Sequence, residues 1–292
     1  MDTRHPTPYP EINALVHEVL VGAKAILNTH FVGMYLEGSL VTDDFDQDSD
    51  IDFVVVSDAT LSSDQFTALQ HMHERIAKID SWYADQLEGF YVSQRALRRY
   101  DPAQAIHANI ERGPGERLKL DLLDSSWIVH LSVLPERGVT LAGPSPQMLI
   151  APIRSQELQQ AMVGSVQGWA TPKLHNPEQL RIRSSQAYVV LTLCRMLYTL
   201  RTGSVVTKRV AASWAAATLG ERWVPLIERA WEGRHNPAAE QAARGSWTPL
   251  NGRKWEGLHN VEVSAEEMNE TLEFLRYTIE RSQQLEMPTD NN

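Results

Sequence analysis

Asp50 and Asp52 stand one residue apart at the head of an apolar run, Phe53 to Val56. In a strand, residues i and i+2 share a face. Both carboxylates therefore point the same way, and Ile51 between them points into the core behind. Two neighbouring carboxylates repel strongly unless a cation lies between them. Their hard oxygens suit Mg2+ carried in with the phosphates of a nucleotide. Eleven positions before Asp50 stands Ser39, preceded by Gly38 at the end of a second strand-length apolar run, Val32 to Leu36. Gly38 lets the backbone approach a phosphate closely, and Ser39 adds a hydroxyl beside its amide. A phosphate cradle on one strand end and a metal clamp on the next are the parts of a nucleotidyl-transfer site. Asp-x-Asp alone is usually a strand end and Gly-Ser alone a turn. Specificity comes from the two together, with apolar strands on both sides.

Such a site needs a third carboxylate, to help hold metal or to accept the proton of an attacking hydroxyl. Glu88 opens a short predicted strand, Leu87 to Ser93, 36 residues after Asp52 with one helix between. That strand can lie beside the pair. Asp121, in the strand-like Arg117 to Leu123, is the rival. On pattern alone an exposed strand-end glutamate is the less favoured alternative for Glu88.

Gly38-Ser39 followed by Ser49-Asp50-Ile51-Asp52 resembles the signature of the polymerase-beta-like nucleotidyltransferases. Val189 to Tyr198 (VVLTLCRMLY), Thr202-Gly203 and Lys208 to Ala215 (KRVAASWA) narrow the likeness. They resemble the aminoglycoside adenylyltransferases that modify streptomycin and spectinomycin. The resemblance implies ATP as donor, Mg2+ on Asp50 and Asp52, and Glu88 as catalytic base. It implies nucleotide contacts from Gly38, Ser39, Ser49, Arg195, Lys208 and Tyr277. Read without the resemblance, Lys208 is a cation at a helix N-terminus that already favours anions. Arg195 is a planar fork on a helix, and Tyr277 suits core packing at least as well. The streptomycin-modifying members hold the drug with a Trp and nearby acids. The matching stretches here read His107-Ala-Asn-Ile-Glu111 and Arg181-Ile-Arg-Ser-Ser185, which leaves the acceptor open. It is expected to be a small cationic or hydroxylated molecule.

The elements that must position these residues follow from periodicity. Apolar residues at helical spacing predict helices over Glu11 to Asn28 and Ser62 to Asp80, the second with a capping box from Ser62 and Gln65. Arg95 to Glu116, weakly patterned and holding Pro102, Gly113, Pro114 and Gly115, predicts a loop or lid. A helix capped by Asp124 is expected to end at Pro135. The proline-rich Gly143 to Pro152 suggests a boundary between residues 1–150 and 151–292. Beyond it, helices are expected over Gln156 to Trp169, Glu178 to Leu200, Lys208 to Thr218 and Glu221 to Trp231. A long loop, Arg234 to Glu262, and a last helix to Gln284 with a Ser264–Glu267 capping box complete the chain. The expected fold class is α+β: a mixed-sheet nucleotidyltransferase domain with flanking helices, then an all-α bundle.

Composition fits this. Of 292 residues, 42% are hydrophobic and 22% charged, ordinary for a globular chain. The net charge of −10 is uneven: residues 1–150 carry −11 and the rest +1. An acidic half argues against a nucleic-acid groove and favours Mg2+ and a cationic acceptor. Cys194 is the only cysteine, which excludes an internal disulfide and a thiolate zinc site. With no signal-peptide core and no membrane-length apolar run, a cytoplasmic monomer without a membrane partner is expected.

Overall fold

The computed structural model describes residues 6–42, 44–46, 49–234 and 261–286. Among the described residues, those up to Pro152 form one compact unit and those from Ile153 another.

The first unit is built on a six-stranded sheet in the order β5-β4-β3-β2-β1-β6. Its strands are β1 (Phe31–Leu36), β2 (Ile51–Ser57), β3 (Leu87–Ser93), β4 (Ile106–Ile110), β5 (Lys119–Leu122) and β6 (Val139–Ala142). Only β2 and β3 are parallel, because helix α2 (Ser63–Ile76) carries the chain back between them. The remaining pairs are antiparallel. Alternation along the strands sorts the side chains into two faces. Met34, Leu36, Ile51, Phe53, Val55, Leu87 and Tyr91 join Ile12, Leu15, Val16, Val19, Leu69 and Met72 in one buried cluster. This is the face covered by α1 (Pro10–Leu27) and α2. Gly89 lies where this face is tightest: a Cβ there would sit 2.3 Å from the Phe53 ring.

The opposite face carries Asp52, Glu88 and Phe90. It is capped by α4 (Trp127–Arg137), whose Trp127 ring lies 5.2 Å from Phe90 and donates from Nε1 to the Ala96 carbonyl at 3.2 Å. Ser62 caps α2 as expected: its hydroxyl accepts from the Gln65 amide, and the Gln65 side chain accepts from the Ser62 amide.

Two expectations for this unit need correction, and one strand was not expected. Arg95 to Glu116 is no loop: it contains most of α3 (Gln94–Arg98) and the whole of β4. The sequence Ile-His-Ala-Asn-Ile has weak β-propensity, and pairing on both sides imposes the strand. Pro135 does not end α4, which runs to Arg137. In the last turn the missing amide costs little, and the Leu134 carbonyl is used by Gly138. Strand β6 was not anticipated; four residues are too few to show a period. The stretch read as a boundary, Gly143 to Pro152, contains a short helix, α5 (Pro146–Leu149).

Among its described residues the second unit is built from α6 (Ser155–His175), α7 (Arg183–Thr202), α8 (Lys208–Thr218), α9 (Val224–Gly233) and α10 (Ala265–Glu286), with one isolated antiparallel bridge between Ile182 and Glu262. Helix α6 extends six residues past Trp169. The stretch Glu178 to Leu200 divides into a 3-10 turn, Pro177–Arg181, and α7. A 3-10 turn, Glu221–Trp223, likewise precedes α9. Gly203 ends α7 with φ +66, the left-handed cap that favours glycine. Ser264 and Glu267 form the expected capping box of α10. Cys194 is fully buried in α7, as a small hydrophobe. Most of the predicted long loop, Arg234 to Glu262, lies outside the described residues. Among the described residues, no helix is long and apolar enough to cross a membrane.

Candidate active site

The paired acids and their glycine come together on adjoining strand ends in the first unit. Strand β1 ends at Leu36, and the Glu37 amide donates to the Asp52 carbonyl at 3.1 Å. The chain then turns through a 3-10 segment, Gly38–Val41, with Gly38 at φ +72. A side chain at Gly38 would place its Cβ 1.8 Å from Asp52 Oδ2. The turn is therefore seated on the Asp52 carboxylate, a contact that only glycine permits. Ser39 Oγ is buried there without a hydrogen-bond partner. An orphaned hydroxyl beside a tight glycine turn has unused capacity for a ligand oxygen. Ser49 differs: its hydroxyl donates to Asp46 Oδ1 at 2.9 Å and accepts from the Asp46 amide, closing the loop before Asp50.

Glu88 is the direct register partner of Asp52 across the parallel β2–β3 pair. Asp121, its sequence rival, is exposed on β5 opposite His107. Because His107 precedes Ala108, the partner of Tyr91, Asp121 lies toward the other end of β3 from Glu88. The geometry thus sets Glu88, and not Asp121, beside the pair. Burial and the nearby Asp50 charge push the Glu88 carboxyl up to about 7, opposed by Arg112 and, last, His130. Arg112 follows β4 and approaches Asp50 at 3.8 Å, a loose ion pair with both side chains partly exposed.

These residues fit a divalent cation. Asp50 and Asp52 offer hard oxygens on one face, and Asp50 already draws a positive group. Among the described residues, no group of three or more His, Cys, Asp or Glu side chains could hold a metal by itself. A cation at this pair would complete its shell with phosphate oxygens and water, the usual habit of Mg2+.

Sequence reasoning missed several polar groups around this face. Glu37 is buried and paired with His130, Nδ1 to Oε1, at 2.7 Å. His107 Nε2 and Asn109 Oδ1 are buried without partners. Glu37 had one available signal, a charge at the end of an apolar strand run. His107 and Asn109 lay in a stretch read as loop, and His130 on a predicted helix with nothing in the sequence to say what it would meet.

The second unit holds the remaining candidates. Lys208 is the first residue of α8, whose amide ladder opens under the Thr207 cap, with Thr207 Oγ1 accepting from Val210 at 3.4 Å. Its ammonium lies 5.2 Å from the Tyr188 ring. Arg195 is seven residues after Tyr188 on α7, two helical turns along the same face. Lys208 and Arg195 thus stand on one side of the packed α7–α8 pair. Tyr277 lies among Trp223, Phe274 and Arg281, where it packs.

Comparison with known proteins agrees with this arrangement. Residues 24–105 match the family model for a nucleotidyltransferase domain, and residues 148–247 that for the C-terminal domain of aminoglycoside adenylyltransferase. The chain is 27% identical over 223 residues to a spectinomycin 9-adenylyltransferase of Campylobacter jejuni, covering 74% of this chain and 83% of that one. It is 25% identical over 253 residues to an aminoglycoside (3'')(9) adenylyltransferase of Shigella flexneri, covering 80% and 90%. Among solved structures it resembles a spectinomycin adenyltransferase from Enterococcus faecialis, crystallised with ATP and spectinomycin. The TM-score is 0.64 at 19% identity, covering 91% of this chain and 98% of that one. With the domain models matching in order along the chain, and relatives aligned over most of its length, the protein carries a nucleotidyltransferase domain followed by the C-terminal domain of the aminoglycoside adenylyltransferases.

Proposed function

We propose that this enzyme transfers AMP from ATP to a hydroxyl of a small aminocyclitol or aminoglycoside acceptor, releasing pyrophosphate and conferring resistance to the antibiotic. The observation that carries the reading is the register pairing of Asp52 with Glu88, with Gly38 seated on the Asp52 carboxylate. Gly38 and Ser39 bind phosphate oxygens through the turn amides and the orphaned hydroxyl. Asp50 and Asp52 would hold the divalent ions. Mg2+ supplies charge neutralisation of the triphosphate and alignment of attack, which dominate phosphoryl-type transfer. Glu88 takes the acceptor proton as its oxygen attacks the α-phosphorus and the bond to the departing pyrophosphate breaks. A carboxyl raised to about 7 is well matched to that task near neutral pH. Ser49 keeps the loop before Asp50 closed and adds a nucleotide contact. Lys208 and Arg195 offer positive charge to the leaving phosphates, and Tyr277 an aromatic edge to the nucleotide.

The relatives named for spectinomycin and for aminoglycosides support this acceptor class. The arginines of the 181–185 stretch do not oppose it: Arg181 is paired with Glu178 at 2.9 Å and Arg183 with Glu267 at 3.1 Å. Their charge is already offset. A cytoplasmic monomer with no nucleic-acid partner completes the reading, in keeping with the acidic first half.

The test is pyrophosphate release from ATP and Mg2+ with streptomycin, spectinomycin and other aminocyclitols. At least one acceptor is expected to support turnover, and Asp50→Asn to lower it by about three orders of magnitude or more while the melting temperature stays near wild type. Turnover retained in Asp50→Asn would falsify the assignment of the site.

A further inference from the structure

The Glu37–His130 pair lies beside this site and has no role in the chemistry so far. Glu37 is 3% exposed, and its carboxylate meets His130 Nδ1 at 2.7 Å. It adds a buried negative charge next to a face that already holds Asp50, Asp52 and Glu88. Burying a carboxylate is costly unless it is paired. A residue that only filled space would be apolar at this position, as the preceding Leu36 is.

The connections of the pair run directly into the site. Glu37 is the residue before Gly38, and its amide is bonded to the Asp52 carbonyl. His130 closes the first turn of α4. Its ring stacks on Trp127, with centroids 5.0 Å apart and planes at 26°, and meets Phe90 edge-on at 5.2 Å. Phe90 is two residues from Glu88 and on the same side of β3. One imidazole therefore touches both the strand that bears the third carboxylate and the residue that leads into the glycine turn. Trp127 anchors that imidazole through its bond to the Ala96 carbonyl.

We propose that Glu37 and His130 form a positioning pair for the transfer step, locking the Gly38–Ser39 turn and the Glu88 strand at a fixed separation. This rests on the nucleotidyl-transfer reading of the site. Glu37 orients the imidazole by its Nδ1, and the imidazole bridges the turn to β3. In-line transfer depends on this separation, because phosphate held at the turn and a base on β3 must meet one acceptor oxygen. Misplacement by an ångström costs on the order of 100-fold in rate. Neither residue touches the reacting atoms.

Three variants test it: His130→Phe keeps the ring and loses the bond to Glu37, His130→Asn keeps a donor near the Nδ1 position, and Glu37→Gln keeps the shape and removes the charge. Steady-state kinetics would be measured well below each melting temperature, normalised to ATP-binding stoichiometry. His130→Phe is expected to lower kcat by ~10- to 100-fold with the KM for ATP within about threefold of wild type. His130→Asn is expected to recover most of that loss. A purely structural role would lower the melting temperature and leave kcat per folded molecule unchanged, which overturns the proposal. Should His130→Phe not fold, Glu37→Gln decides: a drop in kcat of about tenfold or more supports the pair, and wild-type kcat refutes it. Wild-type protein that transfers AMP to no acceptor overturns the transferase reading and this proposal with it. Wild-type turnover that is unchanged in the variants overturns this proposal alone.

Discussion

Glu88 is the residue whose chemistry is most exposed to measurement. Its carboxyl is raised from about 4.5 to about 7 in the folded chain, by burial first and then by Asp50. The sign of the consequence is fixed by which state holds the proton more tightly. Between these values the folded chain retains a proton that the unfolded chain has released. The stability this group contributes is therefore full below about 4.5 and falls as the pH rises toward about 7. Above that it levels off, with both states ionised and the folded one carrying the penalty. Urea melts of nucleotide-free protein at pH 5 and pH 8 should show a larger drop for wild type than for Glu88→Gln, which cannot ionise. Equal drops in the two proteins would remove the burial argument for Glu88 as a base. Arg112 lies 3.8 Å from Asp50 and also opposes the rise at Glu88, so one arginine serves both acids.

The elements carry these residues, and two substitutions separate carriage from chemistry. Gly89 sits between Glu88 and Phe90 and lies against the Phe53 ring of β2. Gly89→Ala must push Phe53 aside or tilt β3 away from β2, and either way Glu88 moves relative to Asp52. The expected cost is about 1–3 kcal/mol of stability and a clear fall in kcat. Ser62→Ala removes the cap of α2, costing about 1 kcal/mol, and should leave kcat alone. A Gly89→Ala enzyme with wild-type kcat would show that the β2–β3 spacing does not govern the reaction. The same elements explain what the sequence made legible. Strands β1 and β2 and helices α1, α2, α8 and α10 have strong local signals: apolar periods, caps, and a glycine at a turn. Asp50 and Asp52 could be set on one face because alternation along a strand fixes it before any tertiary contact is known, whereas Glu88 was set beside them only by the single helix between β2 and β3 and by the family resemblance, with Asp121 left as a rival. His130 and Asn109 were not legible, because a residue on a predicted helix or in a predicted loop shows no sign of which strand it will meet. Strands β4 and β6 were missed for the same reason: each is too short or too polar to be a strand except by pairing with a neighbour already in the sheet.

At the scale of the whole chain, charge is divided unevenly, −11 over residues 1–150 and +1 over the rest. The half that bears the transfer chemistry repels a free triphosphate and attracts cations. Long-range fields of this kind act on encounter more than on the bound complex, because contacts inside a site are screened far less than charges approaching through solvent. An acceptor with two positive charges should therefore find the enzyme more readily at low ionic strength. From about 0.01 M to about 0.1 M salt the Debye length falls from about 30 to about 10 Å, so most of the attraction beyond the first shell is lost. The KM of such an acceptor is expected to rise several-fold across that range, with kcat changing little. An uncharged hydroxylated acceptor should show no such rise. The KM for ATP should stay level or fall, provided free Mg2+ is kept saturating at every salt concentration so that competition by the added cation is removed. Parallel salt titrations of the two acceptor types would decide it. A flat KM for the dication would mean that the acidic surface has no part in acceptor capture, and that any selectivity for cations arises within the bound complex.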